Sequence, residues 1–296
     1  VGADFHDIRY VRIGSDDLDE SIAFATRILG LELVRRDASA AYLRGDDRDH
    51  NVVYTKGRAS GHVVGYELKS MAALEAAAAL LDNAGIAVSH GTSEMRDQRR
   101  VGGLITVKDP TGNIIDLVAR PDASGKAYFP TRDAGITHFS HVGMHTTNPA
   151  ADEAFWVQTL GAKVSDWIGE AALIRINEVH HNLALFPSKR TGIQHVNFQV
   201  EGIDDIMKSH YFLLENNVKI VFGPGRHATS GARFLYFQGP DDMIYEYSSG
   251  VRMISAEDEE TYIPRQFPTV PTSYCVWGSR PDIAEFKSDE AVSNAA

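Results

Sequence analysis

The sequence predicts an α+β protein built from four βαβββ modules paired into two domains, and three observations carry this: an internal repeat, a strand-then-helix opening in each copy, and short β-rich stretches after each helix. The first opening is the strand-like run Ile8–Ile13 followed by DDLDESIAFATRILG, where Leu18, Ile22, Ala25, Ile28 and Leu29 keep helical spacing. Asp17 with Glu20 resembles a capping box, and Gly30 stops the helix. The pattern returns as a strand around His141–Thr146, a cap at Asn148, Pro149 as the first helical residue and a helix running to Gly161. Weaker copies open at VVGYELKSMAALEAAAALLDNAG and HVNFQVEGIDDIMKSHYFLLENN. Stretches such as GGLITVKDPTGNIIDLVA and ARFLYFQGPDDMIYEYSS, broken by Gly, Pro, Asp and Asn, supply the remaining strands.

These modules place an N-terminal domain at 1–119, a Pro-, Gly- and charge-rich linker at 120–137, a C-terminal domain at 138–250 and a tail at 251–296 that wraps or covers a neighbouring surface. A chain of 296 residues, 43% hydrophobic and 23% charged, is long enough for two domains with buried cores. No window approaches the roughly 18 uninterrupted apolar residues of a membrane span, and the start lacks a basic stretch before an apolar one. The expectation is a soluble, cytoplasmic protein. Cys275 is the single cysteine, so no intrachain disulfide and no cysteine cluster can form, and any metal needs nitrogen and oxygen ligands. A formal charge of −11 offers no basic footprint for nucleic acid or an anionic membrane.

The two halves align position by position. Tyr10 stands 14 residues before Phe24 as His141 stands 14 before Phe155, and Pro110 stands six before Asp116 as Pro240 stands six before Glu246. Tyr10 therefore matches His141, and Asp116 matches Glu246. Counting back from YEL and FQV pairs Val63 with His195, with His62 one residue away as the other possible register. The second half thus presents His, His and Glu where the first presents Tyr, Val and Asp, a set poorly suited to a divalent metal, and chemistry is expected in the second half. Asp116 is read as structural or solvent-facing.

Two imidazoles and one carboxylate on one face of a metal leave the opposite positions open, the ligand set of nonheme iron(II) enzymes that activate oxygen. Strand alternation puts His195, Asn197 and Gln199 on one face of QHVNFQV and Val196, Phe198 and Val200 on the other. His141, Gly143 and His145 likewise oppose Val142 and Met144. His138 and His145 are candidates for lining the pocket. His6, His50, His62, His90 and His210 match no motif and read as surface or core residues.

The order His141, HHNLALFP, QHVNFQV, GPGRH, FLYF and PDDMIYEY resembles the type I extradiol ring-cleavage dioxygenases of the vicinal-oxygen-chelate superfamily, over residues 5–250. The resemblance implies the glyoxalase-like fold of four βαβββ modules with the active cup in the C-terminal domain. It implies iron(II), or manganese(II), held by His141, His195 and Glu246, with His181 as the acid–base histidine, His227 bonding near the substrate and oxygen site, and Tyr236 touching a catechol oxygen. His180 is read as structural. A substituted catechol and O2 are the implied partners, and a homo-oligomer the implied assembly. After GRH the chain reads ATSGARFLYF, smaller and less polar than in biphenyl-type members, and Gly143 is expected to leave room in the pocket. Other readings of the same modules are a metal-dependent glyoxalase- or epimerase-like lyase or isomerase, and a metal-free aromatic-binding protein. No second Glu sits at the matching position for the former, and the triad disfavours the latter.

Overall fold

Two mixed sheets, each made by two modules, share one hydrophobic core. The structure, a computed structural model, describes residues 2–58 and 61–287; the end of the expected tail, 288–296, lies outside them. The first module comprises β1 (Phe5–Ser15), α1 (Leu18–Phe24), β2 (Glu32–Arg36), β3 (Ala40–Arg44) and β4 (Val52–Lys56). The second comprises β5 (His62–Leu68), α2 (Met71–Asn83), β6 (Ser89–His90), α3 (Ser93–Arg99), β7 (Val101–Lys108) and β8 (Ile114–Pro121). It departs from the expected unit, because α3 is inserted and β6 shrinks to two residues. The third comprises β9 (Ile136–Thr146), α4 (Pro149–Ala154), β10 (Lys163–Ile168), β11 (Ala171–Arg175) and β12 (Leu183–Pro187). The fourth comprises β13 (Ile193–Val200), α5 (Ile203–Glu215), β14 (Ile220–Arg226), β15 (Arg233–Gln238) and β16 (Ile244–Ser249). Beyond it lie α6 (Ala256–Glu259), β17 (Arg265–Phe267) and α7 (Pro271–Tyr274). No helix among the described residues is long and apolar enough to cross a membrane.

The predicted caps are in place, with only the Asp17 half of the expected capping box formed. The Asp17 side chain accepts from the backbone N–H groups of Asp19 and Glu20, and Gly30 closes the helix at φ 83°. Asn148 caps α4 through Ala151, ahead of Pro149. Both helices finish in a π-helical turn, Ala25–Leu29 and Phe155–Thr159, a shared detail that spacing alone did not reveal.

Sheet order is β2-β3-β4-β1-β5-β8-β7-β6 in the first half and β14-β15-β16-β13-β9-β12-β11-β10-β17 in the second. Alternation sends Val196, Phe198 and Val200 of β13, Val142 and Met144 of β9 and Tyr245 and Tyr247 of β16 into the shared core. Trp156 from the second half meets Tyr66 of the first at 4.9 Å, and Phe24 from the first meets Tyr245 of the second at 5.6 Å. Each half therefore supports the other through its opening helix. The opposite face of the second sheet, partly covered by the tail, holds the candidate site.

Candidate metal centre

Three adjacent strands deliver the triad. On β13, Asn197 lies opposite both His141 of β9 and Glu246 of β16, while His195, two residues earlier on the same face, lies opposite Gly143. His141 Nε2 is 3.0 Å from Glu246 Oε2 and 3.2 Å from His195 Nε2, and His195 Nε2 is 3.4 Å from Glu246 Oε2. Donors about 2.1 Å from one ion at right angles stand about 3.0 Å apart, so the triad can close on a single cation from one side. Glu246 is 1% exposed, yet neither carboxylate oxygen receives a hydrogen bond. Buried carboxylates are ordinarily satisfied, and a cation is the partner that this pair of oxygens fits. Burial opposes ionisation of Glu246, but His141 first, then His195 and His227, outweigh it and hold the carboxyl well below the usual carboxylate range.

Gly143 has a different job from the one expected. A Cβ there would lie 2.3 Å from His195 Nδ1 and 2.8 Å from Gln194 Oε1, so the missing side chain makes room for a ligand imidazole rather than for substrate. The same His195 Nδ1 is bonded to the Gln194 side-chain oxygen, which fixes the ring.

Around the triad stand the other sequence candidates. The His227 Nε2 lies 3.2 Å from the Tyr236 hydroxyl and 3.5 Å from Glu246 Oε1, while its Nδ1 donates to the Tyr274 carbonyl at 2.8 Å. Burial, then the Glu246 charge, pushes the Tyr236 phenol well up, so it stays a proton donor. The His181 ring packs on His141 at 4.3 Å. The tail packs beside them: Phe286 lies 4.8 Å from Phe186 and 6.0 Å from Tyr236, and stacks on Tyr274 at 5.1 Å. Next to it, Glu285 is held by Arg190 at 2.8 Å and faces His145 Nδ1 at 3.4 Å. His145 therefore meets the tail, and His138 lies beside the Arg48–Asp7 pair at the junction of the halves.

The model of the Glyoxalase/Bleomycin resistance protein/Dioxygenase superfamily matches residues 7–117 and 138–247, once in each half. The chain belongs to this superfamily. An iron-dependent extradiol dioxygenase of Rhodococcus jostii (strain RHA1) is 29% identical, over 92% of this chain and 95% of its own. Among solved structures, the Mn(II)-bound glyoxalase of Novosphingobium aromaticivorans is 25% identical at TM-score 0.82, covering 97% of this chain and 99% of its own. Homoprotocatechuate 2,3-dioxygenase of Arthrobacter globiformis shares the fold at TM-score 0.82 and 21% identity, covering 97% of this chain and 92% of its own.

The two superfamily copies within the chain can now be compared by register. Val63 lies opposite Ile114 as His195 lies opposite Ile244, which settles Val63, not His62, as the counterpart of His195. His62 instead accepts the Ile193 N–H at 2.9 Å. Asp116 is fully buried, not solvent-facing: Tyr10 and Arg99 donate to its Oδ2, each at 2.8 Å, and Thr106 to Oδ1 at 2.6 Å. Sequence reasoning missed one pairing. Val52 lies opposite Val11 as Leu183 lies opposite Val142, so His50 is the counterpart of His181 and Asp49 that of His180. The dipeptide His-Asn, at 50–51 and 181–182, was the available signal.

Proposed function

We propose that the chain is an extradiol dioxygenase that inserts both atoms of O2 into a substituted catechol, opening the ring beside the vicinal diol to a muconic-semialdehyde-type product. The observation that carries the reading is the convergence of His141, His195 and Glu246 in the buried site, with neither Glu246 oxygen hydrogen-bonded. The iron-dependent relative at 29% identity supports the choice of reaction, and the Mn(II)-bound neighbour keeps manganese within the ligand set's range.

His141, His195 and Glu246 would hold iron(II), which would supply Lewis acidity toward catechol and O2. His181 takes the proton of a substrate hydroxyl and returns it as ring opening proceeds. Tyr236, kept protonated by burial and the Glu246 charge, donates to a substrate oxygen as charge develops on it. His227, its Nδ1 fixed on the Tyr274 carbonyl, aims Nε2 at the same region. Phe186, Phe222, Tyr274, Ile283 and Phe286 form one buried apolar cluster with Tyr236. That cluster is apolar, and the guanidiniums of Arg190 and Arg265 are engaged by Glu285 and Asp166, which favours a catechol substituent without negative charge.

The test is oxygen uptake by protein loaded anaerobically with iron(II) and offered a panel of substituted catechols, with the visible spectrum followed in parallel. Uptake with a yellow product is the expected result. Bound metal without uptake on any catechol would move the assignment to a metal-dependent lyase or isomerase.

A further inference from the structure

Behind His181 a buried polar chain runs outward to the tail. His181 Nδ1 lies 3.1 Å from His180 Nδ1, and His180 Nε2 lies 2.9 Å from Asp166 Oδ2. His180 and Asp166 are both fully buried. Asp166 of β10 is gripped by Arg265, which pairs with it in register from β17: the Arg265 backbone N–H and Nε donate to Oδ1 at 2.9 and 3.0 Å, and Nη2 donates to Oδ2 at 2.6 Å. The same Nη2 donates to the Thr229 carbonyl, two residues beyond His227.

Donor and acceptor bookkeeping fixes every proton in this chain. An ionised carboxylate only accepts, so the proton between Asp166 and His180 sits on His180 Nε2. A neutral imidazole protonated at Nε2 has a bare Nδ1, which must accept from its neighbour. The neighbour is His181 Nδ1, which therefore carries its proton there and leaves Nε2 bare. That Nε2 makes no hydrogen bond to any described residue, and the ring lies against the ligand His141. The protonation states are the required ones. Burial pushes the Asp166 carboxyl up, but His180 and Arg265 outweigh it and hold it at about 2, while burial pushes His180 down.

The first half shows the same design with different residues. His50 Nδ1 lies 2.8 Å from Asp49 Oδ1, so the residue before the histidine again offers an acceptor to Nδ1. Arg35, which pairs opposite Tyr42 as Asp166 pairs opposite Leu173, in turn grips Asp49 at 2.7 Å. Both halves thus lock this histidine from behind, and the second uses a His–Asp pair to do it.

We infer that His180 and Asp166 are positioning residues that fix His181 in its Nδ1–H tautomer and so present a bare Nε2 to the substrate hydroxyl. The inference rests on the reading of His181 as the acid–base group, and its test reads the tautomer itself. Full-length protein carrying 15N-labelled histidine and loaded with diamagnetic zinc is examined by two-bond 1H–15N correlation. The expected spectrum gives His181 a protonated Nδ1 and a bare Nε2. His180→Leu should scramble that pattern and lower kcat about 10- to 100-fold, part of the roughly 10²- to 10⁴-fold a positioned acid–base supplies, with KM and bound metal unchanged. His180→Gln, whose amide still offers one acceptor and one donor, should restore both pattern and rate. Asp166→Asn turns a donor toward His180 and should move the His181 proton to Nε2. A wild-type His181 protonated at Nε2, or a tautomer unmoved by His180→Leu and Asp166→Asn, would overturn the inference; if His180→Leu does not fold, the other two variants decide. Wild-type protein that shows the expected tautomer but no oxygen uptake would sink the dioxygenase reading alone.

Discussion

Arg99 sets its Nε 2.8 Å from Oδ2 of Asp116, the carboxylate that occupies in the first half the place of Glu246 in the second. One duplicated scaffold therefore neutralises the same buried carboxylate in two ways, with a guanidinium in one half and with room for a cation in the other. Replacing Arg99 by Met strands a buried charge and should cost about 3 to 5 kcal/mol in denaturant unfolding. Glu246→Gln should instead leave metal-free stability within about 1 kcal/mol of wild type. It should abolish the stabilisation by added metal, which for wild type is about 2.7 kcal/mol at a hundred times Kd. Equal losses in the two metal-free variants would contradict this division of roles.

Gly143→Ala tests the placement of His195. The new Cβ meets an imidazole and a glutamine side chain, so the imidazole must swing and the triad opens. Metal affinity should fall at least tenfold by isothermal titration, a loss of about 1.4 kcal/mol, while the far-ultraviolet circular dichroism stays unchanged. Unaltered affinity would mean that His195 is not a ligand.

The triad was legible because strand alternation and the repeat are both encoded locally: His141, His195 and Glu246 keep the offsets of Tyr10, Val63 and Asp116. What the sequence hid was set by partners far apart in the chain. Gly143 looked like spare volume because its neighbour His195 is 52 residues away. Asp116 could be read as either structural or solvent-facing because Arg99 reaches it from α3, a helix inserted only in the second module. The partners of His180 were hidden because Arg265, which grips its partner Asp166, arrives from the tail 85 residues later.

Phe286 brings the tail against the candidate site. Its ring is buried against Tyr274, Phe186 and Tyr236, so if the catechol substituent lies on this apolar side, as proposed, Phe286→Ala should raise KM for aryl- or alkyl-catechols about tenfold, near 1.4 kcal/mol of lost binding. Unsubstituted catechol lacks the group that this side would hold and should lose less. Steady-state kinetics on the two substrates separates the effects, and equal changes in KM would refute the placement of the substituent.

Asp109 gives a pH dependence of opposite sign to that of the paired carboxylates. It is 4% exposed, its Oδ1 accepts the Asn113 N–H at 2.8 Å and its Oδ2 the Asn113 amide at 2.9 Å. Burial first, then the charge of Asp152 across the junction of the halves, pushes its carboxyl up to about 6. The folded protein therefore binds this proton more tightly than the unfolded chain, whose carboxyl titrates near 3.8. Stability from this group is complete below about pH 4 and is lost as pH rises toward 6, a total of about 3 kcal/mol at roughly 1.4 kcal/mol per unit. Asp109→Asn removes the titration, so the difference in unfolding free energy between wild type and variant should shift in the variant's favour from pH 4 to pH 6 and stay level above pH 7. Asp166, whose carboxyl is held at about 2, works in the other direction and below this window, so it leaves the difference curve untouched. A flat difference between pH 4 and 6 would show that Asp109 is not strained by burial at the junction.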